Sequence, residues 1–484
     1  MEKDSQIKNM GWDLMTNYGF VIDNRTCIGC HACTVACKSE HDVPIGVNRT
    51  HVKYIETGTY PDSSREFSVH RCNHCEDSPC TVICPTNALF KRDDGIVDFD
   101  SDRCIGCKSC MQACPYDALY IDPNTSTAAK CNYCAHRIEH SYEPACVIVC
   151  PTESITSGDL EDPNSKIAQL VATQETTVRK PESGATPNLF YIKASEEMLD
   201  PAATERTNSG VWTEQAFGVG HFAKYADARL SEADTPSMIV QLALEKKAKA
   251  AAPRDQAIIR DVMAQLSDKS PKAKRVYDAP SKGVLWGWEV SAYIWTKGIA
   301  SGTYLMAMLA MFAGIIEMTD TLWWTIIVIG LGFLGITGLL LVKDLDRPDR
   351  FLYVMLRPNW SSWLVRGAYI LGGFGGVLSA SAAILLFDLD RSLLTYLAIA
   401  GIPLSTLTGV YTAWLFQQAK ARSWAQDNLL PLKFLIETVL IGSAVLAIIV
   451  LPQPLVLIGS AIVLGAAFIH GKEVVQKPQL VALS

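Results

Sequence analysis

Hydrophobic positions are distributed on two different scales along this chain. Before residue 280 they come in short runs broken by charged and turn-forming residues. After Trp288 they fuse into segments of spanning length, at about 290–314, 322–342, 366–387, 393–417, 432–451 and 454–470. Roughly 20 apolar residues suffice for a helix to cross the hydrocarbon of a bilayer, so about six transmembrane helices are expected. The first part predicts smaller elements. Ala88 to Asp98 reads as a hairpin turning at Asp94-Gly95, because Asp-Gly favours the tight turn that joins twisted strands. Ser165 to Val171 has a helical pattern and Pro187 to Ile192 an extended one. From Lys193 to Ser281 the chain turns polar and alanine-rich, with helical pattern at Met238 to Ala251 and Arg254 to Leu266. That stretch reads as a partly helical linker or docking arm, and Lys272, Lys274, Arg275 and Lys282 give it a basic approach to the membrane.

The fold class expected is an α+β domain followed by an all-α transmembrane helix bundle, in a chain of 484 residues that exceeds one ordinary domain. Charge sharpens the picture. A net charge of −7 argues against a general nucleic-acid binder, and the spanning segments make membrane lipids the expected surroundings of the second half. Lys343, Arg347, Arg350, Arg357 and Arg366 flank the second connection, Lys420, Arg422 and Lys433 the fourth, and Lys472 and Lys477 the tail, whereas the other connections hold only Arg391. By the positive-inside rule the crowded loops are cytoplasmic, and an even number of spans puts the first half on that side. Met1 to Phe20 contain no apolar run and no twin arginine, which leads to the same expectation. The location expected is multi-pass in the inner, cytoplasmic membrane, with the first half facing the cytoplasm.

The first half carries the chemistry. All 16 cysteines lie between Cys27 and Cys150, in four groups of four. Cys27, Cys30, Cys33 and Cys37 run as Cys-x2-Cys-x2-Cys-x3-Cys, and Cys104, Cys107, Cys110 and Cys114 repeat that spacing ahead of Pro115. Cys72, Cys75, Cys80 and Cys84 widen the middle gap before Pro85, and Cys131, Cys134, Cys146 and Cys150 widen it further before Pro151. This is the bacterial ferredoxin run, in which the fourth cysteine ligates the other cluster of a pair. Sixteen thiolates at four per cluster predict four [4Fe–4S] clusters. Exchange of the fourth ligand pairs Cys104, Cys107 and Cys110 with Cys84, and Cys72, Cys75 and Cys80 with Cys114. By the same logic Cys27, Cys30 and Cys33 go with Cys150, and Cys131, Cys134 and Cys146 with Cys37. Three thiolates on one loop converge only if the backbone curls, and Gly29 and Gly106 fit that need.

Duller readings compete poorly. A disulfide framework asks for a short chain in an oxidising compartment, and zinc sites rarely combine such short gaps with a trailing proline. His31, His70, His74, His136 and His140 are left out as ligands because four cysteines are already available per cluster. Lys38, Arg71, Lys108, Lys130, Arg137 and Tyr116 stand near the thiolates, either as tuners of potential or as ordinary solvated surface.

In the membrane half the histidine count decides one point. Haem in a helical bundle needs axial ligands, usually histidines on facing helices, and the only histidine here is His470, so no haem is expected. Ionisable residues in lipid are costly and mark functional sites by default. Lys297 lies in the first span and Glu437 in the fifth. Lys297 with Trp288, Tyr293 and Tyr411 makes a candidate quinone pocket, against the reading that the aromatics form interfacial belts and the lysine snorkels. Gly298, Gly302, Gly372, Gly376, Gly459 and Gly465 are expected to let helices approach closely.

Two resemblances follow from these residues. The four cysteine groups in this order, followed by Gly158-Asp-Leu-Glu-Asp-Pro-Asn-Ser-Lys166 and Pro187-Asn-Leu-Phe-Tyr191, resemble the iron–sulfur subunits of the dimethyl sulfoxide reductase superfamily over residues 15–192. Tyr293-Ile-Trp-Thr-Lys-Gly-Ile-Ala-Ser-Gly302, Asp346-Arg-Pro-Asp-Arg-Phe351, Ser362-Trp-Leu-Val-Arg-Gly-Ala-Tyr369 and Thr408-Gly-Val-Tyr411 resemble the NrfD-like membrane anchors of polysulfide reductase over residues 284–470. In these families the two are usually separate chains and the anchor commonly has about eight spans; here they are fused, with residues 193–283 between them. The resemblance implies a partner, a catalytic subunit bearing molybdenum or tungsten bis-pterin, and an electron relay between it and menaquinone or ubiquinone. A cytoplasmic catalytic subunit suits sulfite oxidation better than periplasmic reduction of dimethyl sulfoxide or polysulfide. A redox-linked proton-translocating module using Lys297 and Glu437, and a membrane half that merely tethers the clusters, are the alternatives.

Overall fold

The computed structural model describes residues 16–59, 62–206, 273–279, 282–481 and 483. The helices expected at 238–251 and 254–266 lie outside the described residues, as does Lys272.

In the first half the cysteine runs nucleate short helices. Helix α1 (Ala32–Glu40) carries Cys33 and Cys37, α2 (Pro79–Ile83) carries Cys80, and α3 (Ser109–Ala113) carries Cys110. Cys134 caps α4 (Ala135–Ile138), and Cys146 lies in α5 (Ala145–Ile148). His31, Lys108 and Cys134, the residues just before α1, α3 and α4, are left-handed at φ of 60, 60 and 52°. Gly106 at φ 68° turns the loop ahead of α3, and a Cβ there would meet Asp346 Cβ at 2.7 Å. Both conformation and space therefore require glycine.

Two sheets bracket these loops. Strands β1 (Tyr18–Asp23), β2 (His51–Thr59) and β3 (Asp62–His70) come first. The expected hairpin follows as β4 (Leu89–Lys91) and β5 (Val97–Phe99), with Gly95 at φ 79° in its turn. A second hairpin joins β6 (Tyr120–Asp122) and β7 (Thr127–Ala129). After β8 (Ile155–Asp159), helix α6 (Lys166–Thr173) starts where Ser165 Oγ accepts from Ala168 N at 3.1 Å. Next come β9 (Thr176–Thr177), β10 (Leu189–Ile192), a short α7 (Glu196–Leu199), β11 (Glu205–Arg206) and β12 (Ala273–Tyr277). One sheet has the order β8-β1-β10-β9 and the other β11-β12-β2-β3. The region expected as a linker thus adds strands to the first half at both of its described ends. Lys274 and Arg275 belong to that sheet, where Arg275 Nη1 donates to Asp278 at 2.8 Å, rather than to a basic approach to the membrane.

The membrane half contains six long helices: α8 (Trp288–Phe312), α9 (Asp320–Lys343), α11 (Trp363–Leu386), α12 (Ser392–Gln417), α13 (Leu430–Val450) and α14 (Pro454–Gln476), with a short α10 (Tyr353–Leu356) before α11. Five of them, all but α8, are long and apolar enough to cross a membrane. Helix α8 falls short because it carries Glu289, Lys297 and many small polar residues, yet it is the most enclosed, packing against α9, α12, α13 and α14. Its surroundings are protein rather than lipid, and Thr296 and Lys297 find partners there in Thr337 and Thr412.

Glycine permits the closest contact. A Cβ on Gly302 of α8 would strike the carbonyl of Thr438 and come 3.0 Å from Gly442 Cα on α13, and one on Gly298 would meet Ile441 at 2.9 Å. Gly372, Gly376, Gly459 and Gly465, also expected to mediate packing, face open space instead. They lie on the outer flanks of their helices, where no neighbour needs room. We therefore expect Gly302→Leu to cost about 1–3 kcal/mol or more through overpacking, and Gly376→Leu to be neutral. Thermal unfolding of the detergent-solubilised chain checks this; equal melting temperatures for the two variants contradict the packing assigned to Gly302.

Candidate functional site

The structure gathers the cysteines into four quartets, each drawn from distant parts of the first half. Cys27, Cys30 and Cys33 ring one small cavity with Cys150; Cys72, Cys75 and Cys80 ring a second with Cys114; Cys104, Cys107 and Cys110 ring a third with Cys84. Cys131, Cys134 and Cys146 stand with Cys37. All sixteen are free of disulfides. Among the described residues no three ligating side chains converge tightly enough for a single metal ion. Thiols ringing a cavity without converging on one point suit a polynuclear iron–sulfur cluster, whose ligands are spaced by the width of the cluster itself.

Burial raises several of these thiols above their ordinary pKa of 9.0: Cys33 and Cys114 to about 11, Cys107 and Cys134 to about 12. A thiol held protonated in this way gives up its proton when iron binds, so loading releases protons. The quartets also act on one another. Cys80 is close enough to Cys110, Cys72 to Cys131, and Cys146 to Cys33 for their charges to interact. The result is a row: the Cys84 quartet, the Cys114 quartet, the Cys37 quartet, then the Cys150 quartet, where Cys30 is exposed.

The membrane half grips the Cys84 quartet. Residues 344–362, between α9 and α11, wrap around it through backbone bonds from Asp346 N to Gly106 O (3.3 Å) and from Arg347 N to Ile105 O (3.2 Å). Asn359 Nδ2 donates to Cys84 O at 2.7 Å, Ser362 Oγ to Ile83 O at 2.8 Å, and Arg350 Nη1 to Ser101 O at 2.6 Å. Lys108, 2% exposed, donates to Asp344 O at 2.8 Å, with the Asp346 carboxylate 3.5 Å away.

Beside this quartet lies an apolar cavity of about 570 Å³, within the range of small-molecule sites. Cys107 and Trp286 form one wall, and Tyr293, Tyr411, Phe416 and α9 around Gly335 and Gly338 form others. Trp286 Nε1 donates to Cys107 O at 3.2 Å, and its ring stacks on Phe416 and Trp424 with centroids 5.4 and 5.9 Å apart. Of the residues proposed from sequence, Tyr293 and Tyr411 line this cavity. Lys297 lies just behind them, 1% exposed, with Nζ 4.3 Å from the Tyr411 ring centroid and donating to Thr412 Oγ1. Glu437 is the carboxylate whose charge reaches it. Trp288 stands apart: its ring, 49% exposed, lies under Lys343 at 4.4 Å, facing away from the cavity. Trp286, absent from the sequence reading, occupies the wall because it precedes the helix, in the bend ahead of Gly287.

Family comparisons divide the chain at the same place. The 4Fe-4S dicluster domain family matches residues 64–160, and the family described as Polysulphide reductase, NrfD matches residues 278–453. A polypeptide of the polysulfide reductase of Wolinella succinogenes is 44% identical over 178 residues, which is 36% of this chain and 93% of that protein. The chain belongs to the iron–sulfur subunits of the polysulfide and dimethyl sulfoxide reductase type. Within this family, a subunit of the tetrathionate reductase of Salmonella typhimurium is 40% identical over 203 residues, covering 41% of this chain and 80% of the relative. An iron–sulfur subunit of Halobacterium salinarum, named for dimethyl sulfoxide reductase, is 35% identical over 232 residues, with 42% and 88% covered. Unlike those relatives, this iron–sulfur subunit continues into an NrfD-type anchor, which makes the chain a multi-pass membrane protein.

Iron removal tests how far the clusters hold the first half together. Small modules bury little apolar surface, and here Arg71 and Lys130, 1% and 0% exposed, face thiols and carbonyls and form no ion pair with a carboxylate among the described residues. Without cluster charge these cations are left buried and uncompensated. We expect chelation under oxidising conditions to unfold the first half while the helices of the second persist; circular dichroism and limited proteolysis read both. A fully iron-free protein that keeps its native strand signal contradicts this.

Proposed function

We propose that the chain is the electron-transfer and membrane-anchor subunit that relays electrons between a molybdenum or tungsten bis-pterin catalytic subunit and the quinone pool. The observation that carries this reading is the juxtaposition of Cys107 with the apolar cavity: one quartet and one quinone-sized site share a wall formed by Cys107 and Trp286. When bound, four [4Fe–4S] clusters supply a row of one-electron carriers. The residues supply the rest. At the far end, Cys30 is exposed beside Ile28 and Val35, themselves 56% and 65% exposed, an apolar surface of the kind a large protein partner covers. Cys37, Cys72 and their companions bridge inward to Cys84 and Cys107. At the cavity, Tyr293 and Tyr411 present ring faces and hydroxyl groups, and Lys297 Nζ, steadied by Thr412, holds a proton next to the space where a quinone headgroup takes up or releases two electrons and two protons.

The basic loops lie on the same end of the bundle as the clusters, since Arg347, Arg350 and Arg422 all bond to the first half. The positive-inside rule then favours a cytoplasmic cluster half in the inner membrane, and with it the oxidation of sulfite by a cytoplasmic partner. Reduction in the opposite direction is the second reading, favoured by the reductase names of the relatives.

Two measurements bear on this. Protease should cut the cluster half in inside-out but not in right-side-out vesicles, and the reverse pattern overturns the assigned side. Lys297→Met should lower quinone-dependent turnover on the order of 10²-fold, the scale of a lost proton donor, with the cluster spectrum unchanged; wild-type turnover removes Lys297 from the site.

A further inference from the structure

Arg71 stands between two quartets. It follows the last residue of β3 and precedes Cys72, and its side chain is 1% exposed. Nη1 donates to Cys146 Sγ at 3.0 Å, and the guanidinium carbon lies 4.7 Å from the Phe20 ring centroid. Its charge also reaches Cys33 and Cys131. One guanidinium therefore faces thiols of both the Cys150 quartet and the Cys37 quartet. Its remaining donors make it unusual: Nε and Nη2 are buried with no hydrogen-bond partner among the described residues. Lys130 is as deeply buried but differs, since its ammonium donates to the carbonyls of Val97 and Cys131. A buried arginine with idle N–H groups is costly unless an anion accepts from it, and the anionic groups due at this position are cluster sulfurs.

We propose that Arg71 sets the reduction potentials of the two clusters it stands between, holding both higher than thiolate ligation alone would. This rests on the four-cluster reading. The step concerned is a one-electron reduction and its reversal. Added negative charge is stabilised by a permanent cation in a low-dielectric interior and by N–H donors directed at sulfur, two of the levers that tune such centres. Arg71 keeps its proton throughout, so it changes the potentials without coupling them to pH.

The test is a potentiometric titration, followed by electron paramagnetic resonance, of the anaerobically purified full chain as wild type, Arg71→Gln and Arg71→Lys, with iron content measured in each. In Arg71→Gln two of the four midpoint potentials should fall by the equivalent of tenfold or more in the one-electron equilibrium, about 59 mV or more, and the other two should stay in place. Arg71→Lys keeps the charge but loses the planar fork, and should lower the same two potentials by less. Four unmoved potentials in an iron-replete Arg71→Gln overturn the proposal, as does an equal fall in all four. If Arg71→Gln fails to hold iron, Arg71→Lys decides: a fall confined to two potentials supports the proposal and four wild-type values overturn it. A wild-type chain holding far fewer than about 16 irons fails the four-cluster reading itself and takes the proposal with it.

Discussion

Sixteen cysteine sulfurs, most of them buried, are gathered in a domain too small to solvate thiolates, and the rest of the first half answers that constraint. Carboxylates cannot help, so the compensation comes from backbone N–H groups and buried cations. Gly106 N and Ala128 N point at Cys104 Sγ from 3.4 and 3.3 Å. Cations sit at the boundaries of the row: Arg71 between the Cys150 and Cys37 quartets, Lys130 beside Cys131 and within reach of Cys80, and Lys108 in the wall around Cys84 and Cys107. The left-handed residues ahead of α1, α3 and α4 follow from the same requirement, because a tight turn ahead of a helix lets one loop present several sulfurs inward.

The second half is built to hold one end of that row. Its hydrophobic core is continuous with that of the first half, running from Cys110 and Leu285 through Trp286, Tyr293 and Phe416 to Phe434 and Val475. A separate core in the opposite half of the bundle, around Tyr304, Trp323 and Phe374, shares none of these residues. The bundle is therefore divided into a portion that serves the junction and a portion that serves membrane stability. Asp346-Arg-Pro-Asp-Arg350 belongs to the first, gripping the loop that carries Cys104 and Cys107.

Much of this was legible in the residues. Cysteine spacing carried the iron–sulfur assignment because ligand geometry leaves few ways to arrange four thiolates on a short loop, and the Asp94-Gly95 hairpin and the six long helices followed from local rules. What escaped was set by tertiary contact. Trp286 and Trp288 are two residues apart on an apolar segment, and only the start of α8 after Gly287 separates the one in the cavity wall from the one at the surface. Gly302 and Gly372 look alike in sequence, but α13 stands opposite one and nothing opposite the other. Strand β12 was hidden because its partner β2 lies more than two hundred residues earlier in the chain, beyond the reach of any local pattern.

The polar character of α8 bears on how the protein enters its bilayer. Insertion of a helix is governed by the hydrophobicity of its own segment, and the first helix to emerge here has Glu289 and Lys297 where a self-sufficient span has leucine. The strongly apolar α9 is the element able to commit the chain to lipid. A crossing by α8 is therefore that of the dependent arm of a helical pair, its polar side chains enclosed by α9 and the other helices packed around it.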